Sequence, residues 1–276
     1  RAFGSDTVPG TYEDLELADL VVLVGSNLAW CHPVLFQRLE AAKAANPALR
    51  VVVVDPRKTA TCAIADLHLQ LKPDTDVALF NGLLAFLAEA SVVNESYVNR
   101  FTEGLEKAVE AAGPCEIGQI AEKTGLSRQD IALFYKMFAR TEKTVTVYSQ
   151  GVNQSVVGTD KVNSIVNTHL ATGRIGKPGM GPFSVTGQPN AMGGREVGGL
   201  ANMLAGHMAL ENAEHRGIVQ DFWQSPVVAD RSGLKAVELF KAVREGRIKA
   251  LWIMATSPVD SLPDADGVAE ALETCP

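Results

Sequence analysis

The sequence lacks several patterns that would assign it to a common class of protein. No apolar run approaches the roughly 20 residues that a membrane-spanning helix needs. The formal net charge of −7 gives no basic excess of the kind that nucleic-acid-binding proteins carry. We therefore expect neither a membrane nor a nucleic acid as a partner.

Cysteine is scarce, and the few cysteines are far apart. The four of them (Cys31, Cys62, Cys115 and Cys275) form no C-x-x-C pair, and the five histidines show no metal-ligand spacing. A disulfide framework, or a zinc or iron–sulfur site built by this chain alone, is therefore not expected, and no metal ligand is assigned. Unpaired thiols favour a cytoplasmic location.

Buried strands alternate with helices through the first part of the chain. Apolar, β-branched runs predict strands at 20–24, 50–54 and 144–151, with a shorter one at 67–73. Between them, helical patterns are found at 33–46, 75–90 and 127–139. This alternation predicts an α/β fold, a Rossmann-like parallel sheet with flanking helices. In such sheets ligands bind at the carboxyl ends of the strands, near a topological switch point.

The loops after the first and the 144–151 strands are small and polar. Gly25, Ser26 and Asn27 would let backbone N–H groups approach a pyrophosphate, with the Asn27 amide as an additional donor. Gln150 and Gly151 end the other strand. The G-x-G-x-x-G fingerprint is absent, so a plain strand end is the alternative at Gly25.

Acidic residues follow the other two strands. Asp55 ends the second strand, where a carboxylate typically binds a ribose or a base, and Arg57 could meet a phosphate. Asp74, Thr75 and Asp76 stand before a predicted helix, where carboxylates could accept from the N1–H and N2–H₂ groups of guanine. The alternatives are a solvent-facing turn at Asp55 and a simple helix cap by Thr75.

Two later segments differ from this pattern. Residues 173–199 are rich in glycine but also contain functional side chains, which favours a binding loop over a linker. From about residue 230, a helix, a predicted strand in KALWIMATSP and the start of another helix resemble the first strand–loop–helix unit. This second copy stops where its next strand is due, and the chain begins at Arg1 without a methionine. We therefore expect a fragment of a longer protein.

Four blocks carry a resemblance to a known family: GSNLAWCHPVLFQRL, VVVVDPRKTATCAIADLHLQLKPDTDVALFNGL, the segment from SQGVNQ to GGREVGGL, and ALWIMATSPVDSLPDAD. Together they resemble the molybdopterin oxidoreductases that bind a bis-molybdopterin guanine dinucleotide cofactor with molybdenum. Within that family the chain is most similar to the catalytic subunits of bacterial assimilatory nitrate reductases. The block TGQPNAMGGREVG is the most specific of these strings.

The resemblance implies a fold and a division of the chain. It implies two pseudo-symmetric dinucleotide-binding domains of the formate dehydrogenase/DMSO reductase type, of which the second is incomplete here. Residues 1–176 would form the first guanine-dinucleotide-binding α/β domain. Residues 177–276 would contain the Gly-rich active-site loop and a truncated part of the second domain. The 4Fe-4S cluster and the protein ligand to molybdenum would precede Arg1.

Roles for individual residues also follow from the resemblance. Three segments match positions that bind one guanine dinucleotide. They contain Gly25, Ser26 and Asn27 in the first, Asp55 and Arg57 in the second, and Asp74, Thr75 and Asp76 in the third. Gln150 and Gln154, on either side of the loop that begins with Gly151, match positions that contact the pterin, and Ser257 matches a contact to the other dinucleotide. Gln188 and Arg195 match residues near the metal. Arg195 would offer a fixed positive charge to an anionic substrate.

The function implied is two-electron reduction of nitrate to nitrite by oxygen-atom transfer to molybdenum, with electrons from a donor protein or reductase subunit. The fragment alone is expected to be inactive. A formate dehydrogenase-like enzyme of the same superfamily is the first alternative, and a non-catalytic nucleotide-binding module is the second. An NAD-dependent dehydrogenase is disfavoured because the glycine fingerprint is missing.

Overall fold

The structure, a computed structural model, describes residues 8–187 and 190–276. The chain divides into two compact units, residues 1–187 and residues 188–276. The first unit contains a five-stranded sheet whose strands are all parallel, in the order β3-β2-β1-β4-β5. The strands are β1 (Leu20–Val24), β2 (Arg50–Val54), β3 (Leu67–Leu69), β4 (Thr144–Tyr148) and β5 (Gly181–Ser184).

Helices connect these strands. In the first unit they are α1 (Asp14–Leu17), α2 (Leu28–Cys31), α3 (Pro33–Ala45), a 3₁₀ helix (Ala60–Ile64), α4 (Asp76–Glu89), α5 (Glu95–Phe101), α6 (Leu105–Ala112), α7 (Ile117–Thr124), α8 (Arg128–Arg140), α9 (Gln150–Asn153) and α10 (Gly158–Ala171). The predicted parallel α/β sheet is confirmed. No helix within the described part of the chain is both long enough and apolar enough to cross a membrane.

The sheet is covered on both faces, as the continuous apolar strands predict. Along β1, Leu20, Val22 and Val24 join a core with residues of α4 and α8. Val21 and Leu23 join the opposite core with residues of α3. All five β1 residues are buried, because a central parallel strand has neighbours on both edges and helices on both faces.

Strand β5 forms inside the glycine-rich segment, where little periodic structure was predicted. Glycine and proline disfavour strands, but β5 is an edge strand that, among the described residues, pairs only with β4. Pro182 is tolerated there because an edge strand needs backbone hydrogen bonds on one side only. Residues 181–184 fall in the predicted segment 177–276, but in the structure they form part of the sheet of the first unit.

The helix starts show one correct and one wrong assignment. The helix predicted at 127–139 begins with an S-x-x-D capping box, in which the Ser127 Oγ accepts from the Asp130 N–H at 3.0 Å. Thr75 occupies the N-cap position of α4, but its hydroxyl donates to the carbonyl of Lys72 at 2.6 Å. The alternative interpretation of Thr75 as a side-chain helix cap is therefore wrong.

The described part of the second unit is helical: α11 (Ala191–Glu196), a 3₁₀ turn (Ala205–His207), α12 (Ala213–Trp223), α13 (Ala236–Arg244), α14 (Pro258–Ser261) and α15 (Ala265–Thr274). Phe240 and Val243 of α13 pack against Val268 and Ala271 of α15. The predicted strand in KALWIMATSP is absent from the structure, where residues 250–254 are irregular. A parallel strand requires hydrogen-bonding neighbours, and no strand occurs in the described residues of this unit.

Candidate functional site

The order of the strands reverses at the centre of the first unit. β1 and β4 are adjacent, and the chain runs outward from them in opposite directions, to β2 and β3 on one side and to β5 on the other. This reversal is the topological switch point at which parallel α/β sheets bind ligands. The loops at Gly25 and Gly151 leave the carboxyl ends of these two strands.

Gly25 and Gly151 touch at this point. The Gly151 N–H donates to the Gly25 carbonyl at 3.0 Å. A Cβ added to Gly25 would lie 2.8 Å from the Cα of Gly151, and one added to Gly151 would lie 2.7 Å from the Cα of Gly25. Gly25 also has a φ of +53°, in the region that favours glycine. Both glycines are therefore required for the two loops to meet.

The rest of the first loop offers polar groups to a ligand. Ser26 is 1% exposed, and its buried Oγ has no hydrogen-bond partner among the described residues. The side-chain oxygen of Asn27 accepts from the Thr61 hydroxyl at 3.3 Å, and the same hydroxyl accepts from the Ala29 N–H at 3.1 Å. Thr61 thus holds this loop to the turn after β2 and orients the Asn27 amide.

The loop after β2 presents a carboxylate and a guanidinium group. Asp55 is 5% exposed, and its Oδ1 accepts from the Arg57 N–H at 2.8 Å. The His68 ring contacts the Asp55 carbonyl at 3.0 Å. The Arg57 side chain is 75% exposed and only 4.0 Å from the same Oδ1. Thr59 adds a second buried hydroxyl, which lies beside the Cys62 thiol. An anion could be bound here by Arg57 and Thr59.

A buried ion cluster orders the loop after β3. Lys161 of α10 is 2% exposed, and its Nζ lies 2.8 Å from Asp74 Oδ1 and 2.9 Å from Asp76 Oδ2. Burial alone lowers the pKa of Lys161, but hydrogen bonds to Asp74 and Asp76 outweigh that effect and raise the pKa overall. The cluster therefore carries a charged ammonium at neutral pH. Asp76 is nearly buried, whereas the Asp74 side chain is 75% exposed.

The two residues predicted to contact the pterin lie just after strand β4. Gln150 opens α9, and Gln154 follows it as an exposed residue whose N–H donates to the Gln150 carbonyl at 2.9 Å. A Cβ at Gly187 would lie 3.0 Å from Cγ of Gln150. The ring of His32 bonds to the carbonyl of Thr186. These contacts fix the start of the segment that leads to Gln188.

Three predicted site residues belong to the second unit, residues 188–276. Gln188 lies outside the described residues. In the second unit, Arg195 lies in the last turn of α11, with its carbonyl accepting from the Gly198 N–H at 3.0 Å. Ser257 precedes α14, and its hydroxyl donates to Asp260 Oδ2 at 2.5 Å. Within the described chain, no group of three His, Cys, Asp or Glu side chains could hold a metal ion.

Sequence reasoning missed Thr61 and Lys161. A pattern that reveals Lys161 was present, because Lys161, Ser164, Ile165 and Thr168 recur at helical spacing and all face the interior. A lysine on the buried face of a helix needs a partner of opposite charge. Thr61 had no comparable pattern, since it lies in a 3₁₀ turn.

The buried His169 and Arg174 belong to the core of the first unit, away from these loops in sequence. The His169 ring bonds to the Thr146 hydroxyl at 2.8 Å, and burial holds its pKa well below the usual value. Arg174 donates to the carbonyls of Phe138 and Thr141, each at 2.8 Å. Burial lowers the Arg174 pKa to about 10. Both residues bind core groups and are structural.

Comparison with known proteins identifies similar chains. A family model described as "Molybdopterin oxidoreductase" matches residues 3–276. A protein of Klebsiella oxytoca named "Nitrate reductase" is 52% identical over 276 residues, which is 100% of this chain and 31% of that protein. The "Assimilatory nitrate reductase catalytic subunit" of Bacillus subtilis is 35% identical over 99% of this chain and 38% of its own length. The chain thus spans about a third of these relatives.

A solved structure is similar in fold. Acetylene hydratase from Pelobacter acetylenicus superimposes with a TM-score of 0.52 at 20% sequence identity. The match covers 59% of this chain and 24% of that one. It supports the assignment of the fold and nothing about the reaction.

Proposed function

The chain belongs to the molybdopterin oxidoreductase family, and on that premise we propose that it is the central part of a molybdenum-dependent nitrate reductase. The strongest support is the 52% identity with a nitrate reductase over the whole chain. The geometry that supports it best is the contact of Gly25 with Gly151 at the switch point. Family membership implies a molybdenum–pterin cofactor.

The residues at the switch point fit such a group. Ser26 keeps a buried hydroxyl without a protein partner in the described chain, and buried hydroxyls normally have one. The two glycines allow the backbones at the ends of β1 and β4 to touch, which brings the polar groups that follow both strands close together. These features suit a phosphate-bearing ligand that supplies the missing hydrogen bonds.

We propose that the ligand is a pterin guanine dinucleotide bound by residues 1–176. Gly25, Ser26 and Asn27 would hold its pyrophosphate, Asp55 and Arg57 a ribose or phosphate, and the loop from Asp74 to Asp76 its guanine. Gln150, Gly151 and Gln154 would contact the pterin. Residues 177–276 would contribute the active-site segment and, through Ser257, part of a second dinucleotide site.

Arg195 and Gln188 are proposed to face the substrate. A guanidinium group binds an oxyanion such as nitrate by paired N–H donors and stabilises charge that develops on it. The molybdenum centre, when bound, supplies the two-electron chemistry that removes one oxygen atom from nitrate to leave nitrite. The protein's part is to orient the anion and the cofactor.

The remaining parts of the proposal concern the longer protein. We propose a 4Fe-4S cluster outside this chain, an electron-donor protein or reductase subunit, and a cytoplasmic location. The name of the Bacillus subtilis relative supports an assimilatory role. The four cysteines are unpaired, which supports a reducing compartment.

The test uses a full-length protein that contains this chain. Purified protein is analysed for molybdenum, pterin and GMP released by acid, and is assayed with nitrate and with formate. We expect molybdenum with about two GMP per metal, as a paired dinucleotide cofactor requires, and turnover of nitrate. Turnover of formate alone would select the alternative enzyme. Absence of molybdenum and pterin would contradict the proposal.

A control variant separates substrate binding from folding. Arg195→Gln should lower kcat/KM for nitrate by about a hundredfold, because an anion-binding guanidinium group is lost. The exposed Arg231→Gln makes the same change elsewhere in the second unit and should leave kcat/KM unchanged. Equal effects of the two variants would mean that Arg195 does not bind the substrate.

A further inference from the structure

We propose that Lys161 is a positioning residue for guanine recognition: its ammonium group holds Asp74 so that the second carboxylate oxygen is presented to the base. The inference rests on the proposed function, which supplies a guanine nucleotide as the ligand. Lys161 lies 87 positions from Asp74 in the sequence, and the fold brings the two side chains into contact.

The two contacts of Lys161 differ in what they do. Asp76 is nearly buried, so its bond at 2.9 Å neutralises a charge that would otherwise be unstable inside the protein. Asp74 is different because its side chain is 75% exposed and water could solvate it. Folding does not need the 2.8 Å bond to Asp74 for charge balance. The effect of that bond is to fix an exposed carboxylate.

The backbone at Asp74 supports the same interpretation. Asp74 has a φ of +64°, a conformation that is unfavourable for most residues other than glycine. Strained conformations of this kind cluster at ligand-binding sites, where the surrounding structure maintains them. The ammonium group binds Asp74 Oδ1, and Oδ2 accepts no hydrogen bond in the described part of the chain. Asp74 therefore offers one oriented acceptor.

This acceptor distinguishes guanine from adenine. Guanine presents N1–H and N2–H₂ donors on its pairing edge, and a carboxylate accepts from both kinds of group. Adenine has an unprotonated N1 at the corresponding position, which a carboxylate oxygen repels. A site built for a donor rejects a base that lacks it, because the desolvated oxygen would then have no partner.

The experiment measures the Kd of GMP and of AMP by calorimetry on the full-length protein that contains this chain, prepared without its cofactor. Lys161→Met removes the ammonium group. The double variant Lys161→Met with Asp76→Asn also removes the buried carboxylate that would otherwise be unpaired, so that the chain still folds. Lys72→Met is the matched control, since Lys72 is exposed and close in sequence to Asp74, and within the described chain its ammonium group donates only to the Glu122 carbonyl, at 3.4 Å.

The wild-type chain and Lys72→Met should prefer GMP to AMP. Both Lys161 variants and Asp74→Asn should lose about tenfold in GMP affinity, the low end of what one base-specific charged contact supplies, with AMP affinity unchanged. If the double variant keeps the wild-type preference while Asp74→Asn loses it, Lys161 is only structural and the inference is wrong. If wild type shows no GMP preference and Asp74→Asn changes nothing, the guanine site itself fails, and the inference fails with it.

Discussion

Two apolar segments of similar composition have opposite environments in the two units. In the first unit, LVVLV at residues 20–24 is a central strand whose residues are all fully buried. In the second unit, LWIM at 251–254 is irregular, with Trp252 87% and Met254 67% exposed. The difference teaches that a β-forming pattern becomes a strand only where neighbouring strands supply backbone partners.

Alanine substitutions in these two segments should change the free energy of unfolding by very different amounts, and the change in the first segment is the largest that we expect. Leu23→Ala should lower the free energy of unfolding by about 3 to 4 kcal/mol, because it leaves a cavity in a closed core. Trp252→Ala should change it by less than about 0.5 kcal/mol, since the side chain is largely in water. Urea unfolding followed by circular dichroism measures both. A comparable loss in Trp252→Ala would show that LWIM packs against protein.

A second prediction tests the close contact that defines the site of the first unit. Gly25→Ala should lower the free energy of unfolding by about 3 kcal/mol, since it adds both left-handed strain and a clash with Gly151. Gly104→Ala is the control, because Gly104 has a φ of +78° but no atom within 4 Å of an added Cβ. It should lose only about 1 kcal/mol.

The control isolates the contact because both variants carry the same strain. Equal losses in Gly25→Ala and Gly104→Ala would mean that the loops at Gly25 and Gly151 can separate without penalty. The switch-point crevice would then not depend on the two glycines.

The strands of the first sheet could be predicted only in part from the sequence. Strands β1, β2 and β4 follow from their apolar, β-branched runs, because a central parallel strand is buried whichever neighbour it has. Strand β5 could not be predicted, since Gly181 and Pro182 disfavour strands and only an edge position tolerates them.

The candidate site was predictable to the extent that it follows strand ends. Gly25 and Asp55 follow predicted strands and Gly151 ends one, and parallel strands bring their carboxyl ends to one edge. The contact between Gly25 and Gly151 depends on β1 and β4 being neighbours, which composition does not specify. Lys161 could have been found from the helical spacing of its buried neighbours, whereas its partners depend on how α10 packs on α4.

The smallest expected effect is a dependence of the free energy of unfolding on pH, which arises from His169 in the core of the first unit. Burial, with a smaller contribution from Arg174, holds the pKa of His169 well below 6.5 in the folded chain. As the pH falls below about 6.5, the unfolded chain takes up a proton at His169 that the folded chain does not. The free energy of unfolding should therefore decrease with acid, by up to about 1.4 kcal/mol per pH unit from this residue.

Removing the imidazole tests this dependence. His169→Gln keeps a polar group near Thr146 but cannot be protonated, so it should flatten the loss of stability between about pH 6.5 and 5.5. Urea midpoints at several pH values measure the slope. An unchanged slope in His169→Gln would mean that His169 is protonated in the folded chain.

The central claim is that the loops at the switch point of the first unit hold the cofactor, and amide hydrogen exchange tests it most directly. Full-length protein containing this chain is compared with and without its cofactor by mass spectrometry. We predict slower exchange with cofactor at residues 24–31, 55–59, 74–76 and 150–154, and unchanged exchange at the α6 helix, residues 105–112, as an internal control. Equal exchange at all four segments with and without cofactor would contradict the account.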